Sequence, residues 1–247
     1  MTYLTIALIL MLCAFVQTVA GFAFSLMAIP LLLLCDLTLP QAVVTSMMGS
    51  TVQRLLMVAK YRHQVDWPPL FRMYPWAVLG IFIGICLLRQ IAGLDINIIR
   101  QLFGGVILAV VSLQAFTRVK PREHVPAWCG WIAAFFSGIL NGFANIGGPP
   151  MVFWILAHGW GRDQLRATMP CFTVMMVPIQ TIFLFLSFGS AILCGFGLGV
   201  ASAPAIILAV FLGNKASSRL SVPKLRLAIM LLLVATGLYY IIAPFCK

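Results

Sequence analysis

At 247 residues, 62% hydrophobic and only 9% charged, the chain has far too few charges to cover a water-soluble domain, which carries about a quarter. That composition excludes a globular fold in water and predicts an all-α, polytopic membrane protein, with the lipid bilayer as its surroundings. The net charge of +11 would point to nucleic acid in a soluble protein, but here the basic residues stand at the ends of apolar runs, where they orient spans, so no nucleic-acid partner is expected.

The first apolar run extends from Tyr3 to Cys35, too long for one span and too short for two comfortable ones. Gly21-Phe22-Ala23 and Pro30 break it. Its first residues lack a basic leader, so the run is expected to stay in the mature protein. Three stretches of single-span length follow, Pro40 to Ala59, Leu70 to Leu88 and Ile98 to Phe116. A polar linker at 118–127 then divides a first transmembrane repeat, 1–117, from a second, 128–247.

The second repeat opens on another overlong run, Trp128 to His158, interrupted by Gly142-Phe143-Ala144-Asn145-Ile146-Gly147-Gly148-Pro149-Pro150. Leu165 to Phe188, Ala191 to Leu212 and Lys224 to Ala243 complete it. Asp66, Asp163 and Ser221 are placed to cap the helices that follow them. The ordered correspondences are Pro30 with Pro150, Gln41 to Thr45 with Gln164 to Thr168, and Gly84 to Arg100 with Gly213 to Arg226.

Charge decides the topology. If every run crossed once, the basic loop residues would divide almost evenly between the two faces. If the run from Trp128 to His158 instead dips in and returns, twelve (Lys60, Arg62, Arg72, Arg118, Lys120, Arg122, Arg162, Arg166, Lys215, Arg219, Lys224, Arg226) face the cytoplasm against three (Arg89, Arg100, Lys247). By symmetry the first run is also re-entrant, from the opposite face. The fold expected is two inverted repeats, each a broken, re-entrant helical hairpin followed by three transmembrane helices, in a multi-pass protein of the cell (inner) membrane.

Paired breaks in matching positions point to a transport site, because irregular backbone survives at membrane depth only where protein buries it or where it lines a cavity. Close helix packing is the other reading of such glycines. An anion there needs donors. The substrate-binding candidates are Gly21, Phe22 and Ser25 at the first break; Thr45 and Arg54 on the span after it; Asn141, Gly142, Phe143, Asn145, Gly147 and Gly148 at the second break; and Thr168 on the next span. Gly147 and Gly148 precede a half-helix whose free N–H groups and positive dipole end favour an anion. The asparagines either hold ligand or satisfy broken-helix carbonyls, and each threonine either faces the cavity or bonds its own helix at i−4. Arg54, in line with Ser46 and Ser50, is the one cation set inside an apolar span, where it attracts an anion or reaches to the interface.

The order of these features resembles the sulfite exporter TauE/SafE family of membrane transporters along essentially the whole chain. The features that carry it are Gly21, Phe22 and Pro30; Ala42 to Ser46; Tyr61-Arg62-His63-Gln64-Val65-Asp66-Trp67; and Gly138, Gly142 and Gly147-Gly148-Pro149. Phe24-Ser25-Leu26-Met27 stands where family members often carry a glycine-rich cluster. The resemblance implies export or uptake of a small sulfur-containing anion of the sulfite, sulfonate or thiosulfate class.

Asp36, Asp66, Asp95, Glu123 and Asp163 all fall in loops, which leaves no carboxylate for a proton relay and favours uncoupled, potential-driven export by a secondary transporter with alternating access. An anion channel and a non-transporting membrane scaffold are the alternatives. No nucleophile with a base and no paired carboxylates are found, so no enzyme and no catalytic residues are expected. The seven scattered cysteines suggest neither metal nor disulfides, and no cofactor is implied. The partner expected is a small organic or inorganic anion; the oligomeric state stays open, a homodimer among the options.

Overall fold

The computed structural model describes residues 3–20, 23–116, 125–158, 160, 162–217 and 222–242. These residues are helical throughout, with no strand among them: α1 (Tyr3–Ala20), α2 (Phe24–Leu33), α3 (Leu39–Tyr61), α4 (Trp67–Ala92), α5 (Ile96–Phe116), α6 (Ala127–Ala144), α7 (Gly148–Ala157), α8 (Arg162–Phe188), α9 (Leu193–Ala201), α10 (Ala203–Ser217) and α11 (Val222–Ile242). The runs Leu39–Gln64, Trp67–Ala92, Ile96–Leu113, Ala127–Ala144 and Ala167–Ala201 are long and apolar enough to cross a bilayer, and shorter apolar helices accompany them. Outward-facing Leu4, Leu186 and Phe211 are 65%, 76% and 66% exposed, as lipid contact requires. The chain is a polytopic membrane protein.

The two overlong runs are helical hairpins of identical dimensions. Each has an 18-residue helix and a 10-residue helix with three positions of the chain between them. Adding 124 to a residue number carries Tyr3 to Ala127, Phe24 to Gly148 and Leu39 to Asp163, one residue inside α8. This register replaces the correspondences read from sequence: Pro30 now pairs with Trp154 rather than Pro150, and Thr45 with Met169 rather than Thr168. Matching letters between apolar helices misaligns them by a few residues, whereas the helix ends do not.

Three other expectations are corrected. Gly142-Phe143-Ala144 does not break the helix but forms the last turn of α6, and the break lies at 145–147. Asp163 lies within α8 instead of preceding it. Ala191 to Leu212 is two helices, because Pro204 has no N–H to continue the ladder. Backbone bonds from Ser202 to Leu198 and from Ile206 to Ser202 bracket the interruption. Ser221 and most of the linker fall outside the described residues.

The chain forms two compact units that do not coincide with the sequence halves. The first gathers described residues of Met1–Ser50, Gln90–Thr117 and Leu193–Lys247. Within it α1 and α2 pack together, and α1 runs parallel to α10: Tyr3 bonds the Ala201 carbonyl, and a methyl at Gly213 would meet Thr18 Cβ at 2.8 Å. Helix α5 packs on α11 where Gly104 faces Gly237, and Tyr240 Oη donates to the Pro30 carbonyl at 2.9 Å, fixing α11 to α2.

The second unit gathers Thr51–Arg89 and the described residues of Arg118–Ile192. Its seam is two Gly-x-x-x-Gly pairs, Gly80 with Gly84 on α4 and Gly138 with Gly142 on α6. A methyl at any of the four would overlap a carbonyl of the facing helix, at Phe135, Ile139, Ala77 and Ile81 respectively. Small residues let backbones approach where lipid supplies no hydrophobic drive. Residue numbers rise together along the seam, so α4 and α6 are parallel. Helix α7 folds back along α6: a methyl at Gly130, near the start of α6, would lie 2.9 Å from Trp154 Nε1. The second hairpin thus returns to the end from which it set out.

Candidate functional site

The second break is built from a residue that reverses the chain. Asn145 takes a left-handed conformation, φ 53°, which asparagine tolerates better than most residues. Its N–H bonds the Asn141 carbonyl at 2.7 Å and the Ile146 N–H bonds the Leu140 carbonyl at 3.1 Å, so the end of α6 is closed by its own backbone. Ser137 Oγ bonds the Gly147 carbonyl, holding the start of α7 against α6. A methyl at Gly147 would lie 2.7 Å from the Ser137 carbonyl, whereas at Gly148 it would meet only Met169 at 3.6 Å. Gly147 is needed for close approach and Gly148 is not. Gly147 has φ −63°, so its requirement is space and not a positive φ.

Arg54 reaches this break. Its Nη1 donates to Asn145 Oδ1 at 3.3 Å, from a half-buried position on α3, while Asn145 is 2% exposed. The guanidinium therefore faces the C-terminal, negative end of the half-helix α6. One turn earlier, Asn141 Nδ2 donates to Gln180 Oε1 at 2.9 Å and Gln180 Nε2 returns to the Asn141 carbonyl at 2.9 Å. This reciprocal pair fixes α6 to α8 and sets the orientation of both amides. It leaves Asn141 Oδ1 buried without a donor among the described residues, an open acceptor beside the break.

On α7 no side chain caps the N-terminus; Gly147 is the cap residue and Pro149 and Pro150 lack N–H groups. Gly148 carries the backbone donor nearest the break, because the Met151 N–H closes the first turn of α7 on the Gly147 carbonyl.

Gly21 and Phe22 lie outside the described residues. Beside them Ala23 is left-handed, φ 89°, and Gln17 Oε1 accepts from the Phe24 N–H at 3.2 Å. Ser25 Oγ accepts from Ser46 Oγ at 3.0 Å, tying α2 to α3 in a buried contact. The first break thus presents hydroxyls and no cation among its described neighbours.

The other candidates are engaged elsewhere. Thr45 Oγ1 donates to the Gly195 carbonyl at 3.0 Å, where α9 crosses α3, and Thr168 bonds its own helix at Gln164 O, 2.7 Å. The two threonines share neither partner nor role. Gly142 and Phe143 sit on the α4 seam, where a methyl at Gly84 would lie 2.9 Å from the Phe143 nitrogen. The structure therefore brings Arg54, Asn145, Asn141 and Gly147 into one neighbourhood and Ser25 into another. Ser137 and Gln180 were missed in the sequence, although Ser137 lies one turn before Asn141 on α6 and Gln180 is a long amide within the apolar part of α8.

Among the described residues no cluster of His, Cys, Asp and Glu is placed to hold a metal. The family model for sulfite exporter TauE/SafE matches residues 6–240. No curated protein and no solved structure matches the chain.

Proposed function

The chain belongs to the sulfite exporter TauE/SafE family of membrane transporters, and from that premise we propose that it exports a small sulfur-containing anion across the cell (inner) membrane as a secondary transporter. The observation that carries this reading is the bond from Arg54 to Asn145 at the second break. In this structure the Asn145 amide oxygen occupies one edge of the guanidinium. An oxyanion of the sulfite, sulfonate or thiosulfate class replaces that oxygen with a stronger, charge-assisted pair, and the planar fork suits its geometry. The amide of Asn145, once released, and the N–H of Gly148 supply further donors. None of these groups performs chemistry on the anion, so the protein is read as a carrier and not an enzyme.

Alternating access belongs to the same proposal: the two broken hairpins of equal length are taken as inverted repeats, each opening on its own face. Export needs no coupling ion: an inside-negative potential favours anion exit by about 2.3 kcal/mol per charge per 100 mV. The acids of the chain, Asp36, Asp66, Asp95, Glu123 and Asp163, stand at helix ends or between helices in the sequence.

Purified protein in liposomes tests the reading. At least one of sulfite, thiosulfate and sulfoacetate should move in preference to chloride, saturably, and faster when the anion-containing side is made negative. Dissipating a proton gradient at constant potential should leave the rate nearly unchanged. Absence of flux for all three anions removes the substrate assignment, and unsaturable flux replaces the carrier with a channel.

A further inference from the structure

The second break holds an acceptor that the protein itself does not use. Asn141, 3% exposed on α6, shares two bonds with Gln180 of α8: its Nδ2 donates to Gln180 Oε1 at 2.9 Å, and Gln180 Nε2 donates to the Asn141 carbonyl at 2.9 Å. Turning over either amide, or both, would set two oxygens against each other, so the position of Oδ1 is fixed by the pair. That oxygen is buried and meets no donor among the described residues. A buried amide oxygen without a donor destabilises a fold, and one kept in a native protein calls for a reason. Its place supplies one. A methyl at Gly147 would lie 2.9 Å from Asn141 Cβ, so the side chain leaves α6 on the side where α7 begins. One turn later Asn145, which holds Arg54, bonds its N–H back to the Asn141 carbonyl. Gly148, half-buried at the N-terminus of α7, leaves room beside it, since a methyl there would meet only Met169 at 3.6 Å.

We propose that Asn141 selects the form in which the anion is carried. Its Oδ1 accepts a hydrogen bond from the anion itself, so the site takes singly charged sulfur oxyanions that carry a proton on oxygen, such as hydrogensulfite or a hydroxyl-bearing sulfonate, over the dianions sulfite and thiosulfate. The inference rests on the reading of the chain as an exporter of such anions and adds the feature that tells one from another. Donors cannot do so: the Arg54 guanidinium, the released Asn145 amide and the Gly148 N–H would each meet any oxyanion. An acceptor can, because it repels an oxygen that has no proton and pairs with one that has. Charge points the same way. Among the described residues the hydrogen bonds at the break bring in one cation, Arg54, which balances one negative charge and would leave the second charge of a dianion unpaired at a buried site. Oδ1 is closed to water in this structure and is met only when Asn145 gives way to the anion, so a resident water does not take the donor's place. Gln180 acts through Asn141 as a positioning residue, turning the oxygen and not the nitrogen toward the anion.

Two sulfonates of equal charge and nearly equal shape test this with the full chain in liposomes at fixed potential and pH. 2-Hydroxyethanesulfonate carries the hydroxyl, and propane-1-sulfonate has a methyl in its place. At low concentration the unaltered protein should move the first about tenfold faster, as expected where the analogue leaves an acceptor in the site unpaired. Asn141→Ala and Gln180→Leu should bring that ratio close to one, chiefly by slowing the hydroxyl compound. A purely structural role for the pair would lower both rates together and keep the ratio. Sulfite flux, net of that in protein-free liposomes, should fall as pH rises through the range in which hydrogensulfite loses its proton. Flux of 2-hydroxyethanesulfonate, whose charge and proton do not change there, should stay level. Equal rates for the two sulfonates, a ratio unmoved in both variants, or sulfite flux that holds level as pH rises overturns the inference while the exporter reading stands. Where neither sulfonate moves, the sulfite profile decides, and should the variants not fold, the comparisons in the unaltered protein decide alone. No protein-dependent flux of any sulfur anion overturns the inference and the exporter reading together.

Discussion

Arg54, from the first half of the sequence, bonds Asn145, the residue that reverses the chain in the second half. The left-handed backbone of Asn145 and its side-chain oxygen serve separate purposes. Asn145→Gly should keep the turn and lose the bond to Arg54, whereas Asn145→Ala should lose both. Transport should fall in each, but only Asn145→Ala should also lower thermal stability, by roughly 1 kcal/mol for a residue with a Cβ forced to positive φ. Equal stability of the two variants would detach the turn from the fold.

Arg54 itself is tested against a cation outside the span. Arg54→Ala should lower the transport rate by about ten- to a hundredfold, the range expected for losing a hydrogen bond to a charged group. Arg89→Ala, at the end of α4, should leave it within about twofold, since an exposed charge contributes little. Arg54→Lys should be intermediate, because a lysine keeps charge without the planar fork. Radiolabelled-anion uptake into liposomes measures all three.

The Asn141 and Gln180 amides depend on each other. Gln180→Leu should destabilise by about 1–3 kcal/mol by leaving the Asn141 Nδ2 donor unpaired, read as a lowered Tm in detergent. Asn141→Leu combined with Gln180→Leu should cost less than the sum of the two single changes, and strict additivity would mean that the pair is not coupled.

The two threonines separate a contact between helices from a contact within one. Thr45→Val removes the bond to the Gly195 carbonyl and should cost about 1 kcal/mol. Thr168→Val removes only an i−4 bond in its own helix and should be neutral or slightly stabilising. Circular-dichroism melts of the two variants in the same detergent make the comparison.

Topology is open to a chemical probe. Arg118→Cys and Arg162→Cys, flanking the second hairpin in the sequence, should react with an impermeant thiol reagent from the cytoplasmic face, and Arg89→Cys from the other. Labelling of the first two from opposite faces contradicts a hairpin that returns.

What the sequence revealed follows from which forces act locally. Six apolar runs of single-span length and the two overlong ones were legible because hydropathy over about twenty residues is a property of composition. The break in α6 was placed three residues early because Gly142 looks like a helix breaker. Its actual use is the close approach to Ile81 on α4, which only the fold shows. The kink at Ser202 was hidden because Pro204 lies in a run whose hydropathy is uniform. Arg54 was legible as a charge in a span, but its partner was not, because residues 54 and 145 meet only through tertiary packing. The roles of Thr45 and Thr168 were not separable by sequence, since the same hydroxyl can bond its own helix or a neighbour.

The seat of each hairpin decides what happens when the chain is divided. Helix α1 lies along α10 and α6 lies along α4, so each half of the sequence supplies the surface on which the other half's hairpin rests. A half made alone would leave its hairpin without a seat. Arg54 and Asn145 would also be parted, since one comes from each half. Cut in the linker and made as two fragments, the protein is therefore expected to work only where both fragments meet in the same membrane.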